Sequence, residues 1–115
     1  MRVEHHAQLQ AFNTLALTAS ADIVVHADND EDIREAKSLA QREKLPLVTL
    51  GGVSNVVLAG DVHAVVLRMA TAGIEELARD ERSVTLRVAA GENWHEFVAW
   101  CLDHKYFGLE NLALI

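Results

Sequence analysis

Cysteine and proline each occur once in the 115 residues, glycine six times, and aromatic residues make up only 5% of the chain. A lone cysteine, Cys101, excludes an internal disulfide framework and fits a reducing compartment. Basic residues are scarce as well. Ten Lys and Arg face 17 Asp and Glu, leaving a formal charge of −7. That balance argues against nucleic acid or an anionic membrane as the main partner. No apolar stretch approaches the roughly 18 residues of a membrane span, and the opening "MRVEHHAQLQAF" lacks the apolar centre of a secretory signal. A soluble, cytoplasmic chain is expected. Half of its residues are hydrophobic, which permits a real core and argues against disorder. The length allows one domain at most, or a piece of a larger one.

Residues 1–22 have weak periodicity and read as an irregular lead-in. "DIVVHA" (22–27) is a β-branched run and predicts a strand. "DNDEDIREAKSLAQREK" (28–44) places Ile33, Ala36, Leu39 and Ala40 at helical spacing. Asp28 or Asn29 can cap that helix, acids crowd its first turn, Lys44 sits in its last, and Pro46 lies just beyond. "PLVTL" (46–50) predicts a second strand, so residues 22–50 form a small βαβ unit with parallel strands. After the glycine pair at 51–52, "HAVVLRM", "GIEELA" and "SVTLRVAAG" predict three strands of an antiparallel meander. "ENWHEFVAWCLDHK" (92–105) then predicts a packed amphipathic helix with Trp94, Phe97, Val98, Cys101 and Leu102 on one face. The expected fold class is α+β. The terminal "LALI" is apolar where chain ends are usually polar, so it is either a buried strand or a cut.

"LVTLGGVSNVVL" (47–58) turns on Gly51 and Gly52 between two apolar runs. It matches neither the P-loop pattern nor the dinucleotide fingerprint. Two readings stay open: a tight structural turn, or a nest of backbone amides for a phosphate, with Ser54 and Asn55 adding a hydroxyl and an amide. The nest predicts at least two inward-pointing N–H groups among residues 51–55. His5, His6, His26, His63, His95 and His104 lack the spacing of a ligand set, so no metal site is expected. Cys101 lies on the apolar helix face and reads as inert core, and Trp94 and Trp100 read as packing. "AAGENW" (89–94) reads as a glycine turn with Asn93 or Glu92 as a cap, and Glu110 in "GLENL" as a solvated acid. No nucleophile–base pair and no pair of catalytic carboxylates assembles from these residues.

Four segments in this order resemble the beginning of the UDP-N-acetylenolpyruvoylglucosamine reductases, also called UDP-N-acetylmuramate dehydrogenases. They are "FNTLAL" (12–17), "LGGVSNVVL" (50–58), "AGENWHEFVAW" (90–100) and "GLENLALI" (108–115). The resemblance covers nearly the whole chain but only about the first third of a family member, and family members continue past "LALI" with a Pro-Gly segment. It implies that residues 1–115 are the N-terminal portion of an FAD-binding domain of the vanillyl-alcohol-oxidase type. The implied enzyme passes hydride from NADPH through the flavin to an enolpyruvyl UDP-sugar, making UDP-N-acetylmuramate for peptidoglycan.

On this resemblance Gly51, Gly52, Val53, Ser54 and Asn55 hold the FAD pyrophosphate, Asn13 and Thr14 lie near the cofactor, and Gly108, Leu109 and Glu110 lie beside the flavin. The family's catalytic residues fall beyond Ile115, so no catalytic residue is assigned, and the isolated chain is expected to be inactive and to hold FAD weakly. Apolar surface around Leu112, Leu114 and Ile115 is expected to promote self-association. Two departures stand out: Val53 replaces a family glycine, and Leu15-Ala16 replaces Phe-Gly. The alternative function is a stand-alone, non-enzymatic module that binds a phosphate-bearing ligand or dimerises.

Overall fold

The runs "IVV" (23–25) and "AVVL" (64–67) are apolar at successive positions rather than at alternate ones. Strands with that pattern need cover on both faces. In the computed structural model, which describes residues 1–9, 19–51 and 60–112, these runs are neighbours in one sheet. The strands are β1 (Arg2–Gln8), β2 (Ser20–Ala27), β3 (Leu47–Leu50) and β4 (Val62–Met69), in the spatial order β1-β2-β4-β3. β1 pairs antiparallel with β2, while β4 pairs parallel with both β2 and β3. These elements make up the first of two compact units, Met1–Ala70; the second is Thr71–Ile115.

Helix α1 (Asp30–Glu43) connects β2 to β3 and covers one face of the sheet. Asn29 caps it, accepting the Asp32 N–H at 2.9 Å, and Asp30, Glu31 and Asp32 occupy the first turn. Ala36 and Ala40 turn inward against Ile23, Val25, Ala27, Val65 and Leu67. The opposite face packs Leu9, Ala21, Val24, Leu50 and Val66. Each buried valine or leucine of β4 contributes about 1.5–3 kcal/mol relative to an exposed one.

Two sequence expectations change here. The run at 63–69 is not the first strand of a meander; it is the central parallel strand, lying between the two strands that the βαβ unit was expected to place together. The meander therefore shrinks to one hairpin, β5 (Ile74–Arg79) with β6 (Val84–Val88). Residues 2–8 are also a strand rather than an irregular lead-in. The exposed edge strand "RVEHHAQ" has no apolar stripe to announce it and is held by its backbone ladder to β2.

A polar cluster reinforces that ladder. His26 is buried, and its Nε2 lies 2.7 Å from a Glu4 carboxylate oxygen and 3.0 Å from an Arg2 guanidinium nitrogen. The His26 hydrogen bond, with help from the Arg2 charge, holds the Glu4 carboxyl below the ordinary glutamate value.

In the second unit the β5–β6 turn closes on Asp80, whose carboxylate accepts the N–H groups of Arg82 and Ser83 at 2.7 and 2.8 Å. Those bonds keep the Asp80 carboxyl below its usual range. Helix α2 (Trp94–Asp103) is capped by Asn93, which accepts the Glu96 N–H at 2.9 Å. Its buried face is narrower than the sequence predicts: Phe97, Val98 and Cys101 are inside, whereas Trp94 and Leu102 are 40% and 41% exposed. Both flank the inward stripe of a helix of only ten residues.

Two outcomes are expected from this packing. Lys44 ends α1 in the left-handed region, at φ 56°, where glycine carries no Cβ penalty. Lys44→Gly should raise stability by about 0.5–1 kcal/mol in urea denaturation. Glu4 should stabilise the fold as a carboxylate. Because its folded value is depressed, that contribution is complete above the unfolded glutamate value and disappears as pH falls through the folded one. Denaturation of wild type and Glu4→Gln across acidic pH should show a gap near neutrality that closes below the ordinary glutamate range.

Candidate functional site

The register of the first unit brings three strand ends to one edge. Leu50 lies opposite Arg68 and Arg68 opposite His26, so β3, β4 and β2 finish together. Ligands of open parallel sheets bind outside such carboxyl ends. Gly51 follows Leu50 there, exposed, and a Cβ built on it would meet nothing within 4 Å. Backbone at this position is open to close approach by a ligand. The chain re-enters the described structure at the far end of the strands, where the Asp61 carboxylate accepts the Ser20 N–H at 3.0 Å.

The N-terminus of α1 sits at the same edge as Gly51, but it is a poor anion site. Asn29 Oδ1 already takes the Asp32 N–H of its first turn, and the Asp32 carboxylate takes the Asp28 N–H at 3.0 Å just before the cap. Three acids of its first turn already compensate the helix dipole.

A second local arrangement lies in the second unit. Gly108 has φ 132°, a conformation that L side chains rarely adopt. Its N–H donates to a Glu110 carboxylate oxygen at 2.8 Å, and the Leu112 N–H donates to the Leu109 carbonyl at 2.9 Å. The Trp94 indole N–H closes the arrangement by donating to the Leu112 carbonyl at 2.7 Å. Gly108, Leu109 and Glu110 thus form one turn tied to the start of α2. Glu110 is exposed, as expected, but its carboxylate serves the turn rather than solvent alone.

Of the residues singled out from sequence, Gly51 is placed in the first unit and Gly108, Leu109 and Glu110 in the second. Asn13, Thr14, Gly52, Val53, Ser54 and Asn55 lie outside the described residues, and with them the expected nest of amides. Cys101 is buried, and burial pushes its thiol up, away from the reactive thiolate form. Among the described residues no group of three His, Cys, Asp or Glu side chains is placed to hold a metal, and no helix is long and apolar enough to cross a membrane.

The "AAGENW" link does more than the expected turn and cap. Glu92 accepts the Gly73 N–H at 2.6 Å, and Thr71 Oγ1 accepts the Gly91 N–H at 3.1 Å, so two side chains brace the entry to α2. No local pattern signals these bonds, because their partners lie 19 and 20 residues away. An open cavity of about 610 Å³ also lies between the β5–β6 turn and the end of α2, lined by Arg79, Arg82, His104, Lys105, Tyr106 and Phe107 among others. Arg79 there is engaged by Glu76 at 2.6 Å and by the Tyr106 hydroxyl.

The family model described as "FAD binding domain" matches residues 21–115. The chain is 41% identical over all 115 residues to a UDP-N-acetylenolpyruvoylglucosamine reductase of Pseudomonas aeruginosa, covering 34% of that protein. It is 41% identical over 113 residues, 98% of the chain, to the protein of that name in Pseudomonas fluorescens, covering 33% of it. A third of that name, from a Psychrobacter species, is 42% identical over 109 residues, 95% of this chain and 28% of that protein. The chain spans about a third of the length of the curated relatives it matches.

The Trp94 bond sets the stability of the 108–112 turn. Trp94→Phe keeps a ring against Phe97, 5.6 Å away between centroids, and removes only the donor. The variant should lose about 1 kcal/mol, with faster amide exchange at Gly108 and Leu112 and α2 intact by circular dichroism. Unchanged exchange at those amides would show that the turn holds itself.

Proposed function

The chain belongs to the FAD binding domain family, and from that premise we propose that it is the N-terminal portion of such a domain in an NADPH-dependent reductase. The substrate in this reading is UDP-N-acetylenolpyruvoylglucosamine, reduced to UDP-N-acetylmuramate for peptidoglycan, in the cytoplasm. The domain type is that of vanillyl-alcohol oxidase. One observation carries the proposal: identity of 41% runs the full length of the chain to a reductase of that name. Nothing in the matched relatives favours the stand-alone binding module over this reading.

The described residues are compatible with FAD. Gly51 leaves open space at the carboxyl edge of three strands, where a pyrophosphate can come close to backbone. Neutral N–H donors suit a dianion in a chain of net charge −7, because they attract it without the burial of a further charge. By resemblance, Gly52, Val53, Ser54 and Asn55 continue that cradle, and Asn13 and Thr14 approach the cofactor. By the same resemblance, the Gly108–Glu110 turn of the second unit, braced by Trp94, lies beside the flavin. When bound, FAD supplies the hydride relay between NADPH and the enolpyruvyl double bond. The residues of this chain bind and orient; none of them is assigned a proton transfer.

The exposed apolar residues of the second unit fit a partial domain. Phe107 is 74% exposed, and Leu77, Leu112 and Trp94 stand 40–47% exposed. We attribute to them self-association of the isolated 115 residues.

The purified 115-residue chain should show no NADPH oxidation with the enolpyruvyl sugar and should retain little flavin absorbance after gel filtration. A longer chain that carries these residues should oxidise NADPH with the enolpyruvyl sugar and keep its flavin absorbance. Turnover by the 115 residues alone would overturn the assignment as a portion, and a longer chain inert toward NADPH and the enolpyruvyl sugar would overturn the reductase.

A further inference from the structure

One row of directly paired residues crosses the sheet of the first unit at its carboxyl edge: Leu50, Arg68, His26, Arg2. Paired residues in neighbouring strands project from the same face, so Arg68 and His26 share the face of Leu50, opposite α1. Two residues back along the strands, the same face carries Val66 beside Val24, both buried. On β2 and β4 the face is therefore apolar until its last level, where His26 and Arg68 stand, while on β1 it carries Glu4 beside Val24, with its carboxylate on His26. Arg2 at the outer end of the row is within 4.0 Å of Glu4 and bonded to His26, which places its charge at the β1 edge. Arg68 is the member of the row that neighbours β3.

Neighbouring strands lie about 4.8 Å apart, and Gly51 is the residue after Leu50, the β3 partner of Arg68. Half-buried Arg68 thus stands opposite the residue that precedes open glycine backbone, at the edge where parallel sheets take ligands. The same edge otherwise carries Asp28, Asp30, Glu31 and Asp32, which repel an anion.

We propose that Arg68 is the cation of the pyrophosphate site: its planar, bidentate donors meet the phosphate oxygens that the glycine backbone admits. This deepens the FAD-binding reading and rests on it. The inference needs the charge and the position of Arg68, whatever bonds it makes when no ligand is present. It is a binding role, with no part in hydride transfer.

Salt dependence gives the test a sign. A site made only of neutral amides on a chain of charge −7 should bind inorganic pyrophosphate no more weakly as salt rises, because salt screens the general repulsion. A site with Arg68 in it should bind more weakly. Titrations of FAD, inorganic pyrophosphate and riboflavin (which lacks phosphate) against wild type, Arg68→Gln, Arg68→Lys and the exposed-strand control Arg87→Gln separate the cases. Arg68→Gln should weaken FAD and pyrophosphate about tenfold or more and leave riboflavin unchanged. Arg68→Lys should recover part of the loss, and Arg87→Gln should match wild type.

If wild type binds FAD and Arg68→Gln binds it equally well, Arg68 is not the cation and the FAD reading stands. Pyrophosphate binding that depends on Arg68 would uphold the anion site, and a longer chain carrying these residues that takes up no FAD would overturn the flavin. Should Arg68→Gln fail to fold, wild-type affinity that rises with salt would overturn the proposal, and affinity that falls would uphold it.

Discussion

Parallel seating of β4 between β2 and β3 is the constraint on which the first unit depends. A central parallel strand has no face toward water, so Ala64, Val65, Val66 and Leu67 must be apolar in succession, and all four are buried. The same seating obliges the chain from β2 to pass over β4 before β3 can pair, and α1 makes that crossing. Ala36 and Ala40 let α1 settle closely on Val65 and Leu67. Both hydrophobic clusters of the unit share β4, one through Val65 and Leu67 and the other through Val66.

The geometry of the candidate site follows from that pairing. Only because β2, β4 and β3 run in one direction do their carboxyl ends gather at a single edge, with Gly51 and Arg68 on adjacent strands. Electrostatics then divides the edge. Three acids crowd the first turn of α1, while Gly51 after β3 leaves neutral backbone open.

The second unit is held differently. Among its described residues the buried apolar ones are Phe97, Val98 and Cys101, all on α2, and no hairpin residue is fully buried. A lone two-stranded hairpin is marginal in water. Side chain-to-backbone bonds carry much of the order here: Asp80 in the hairpin turn, Glu92 and Thr71 at the entry to α2, Trp94 at the 108–112 turn. Such bonds set geometry more than they supply free energy, each amounting to about 1 kcal/mol.

Much of this was legible in the chain itself, wherever the signal was local. The Asn29 and Asn93 caps, the acids opening α1, the strand at 22–27 and the neighbouring strands "GIEELA" and "SVTLRVAAG" each depend on residues within a few positions of one another. The four quoted segments carried the FAD-binding identity for the same reason: a short motif keeps its meaning without its partners. Tertiary structure alone decided the rest. Only non-local pairing put β4 between β2 and β3, because a buried apolar run fits a meander or a parallel centre equally well until its neighbours are known. Only pairing to β2 made a strand of the polar residues 2–8, since backbone hydrogen bonds need no apolar pattern. And Arg68, unremarkable at the end of an apolar run, entered the proposed site only when register set it opposite Leu50, the residue before Gly51.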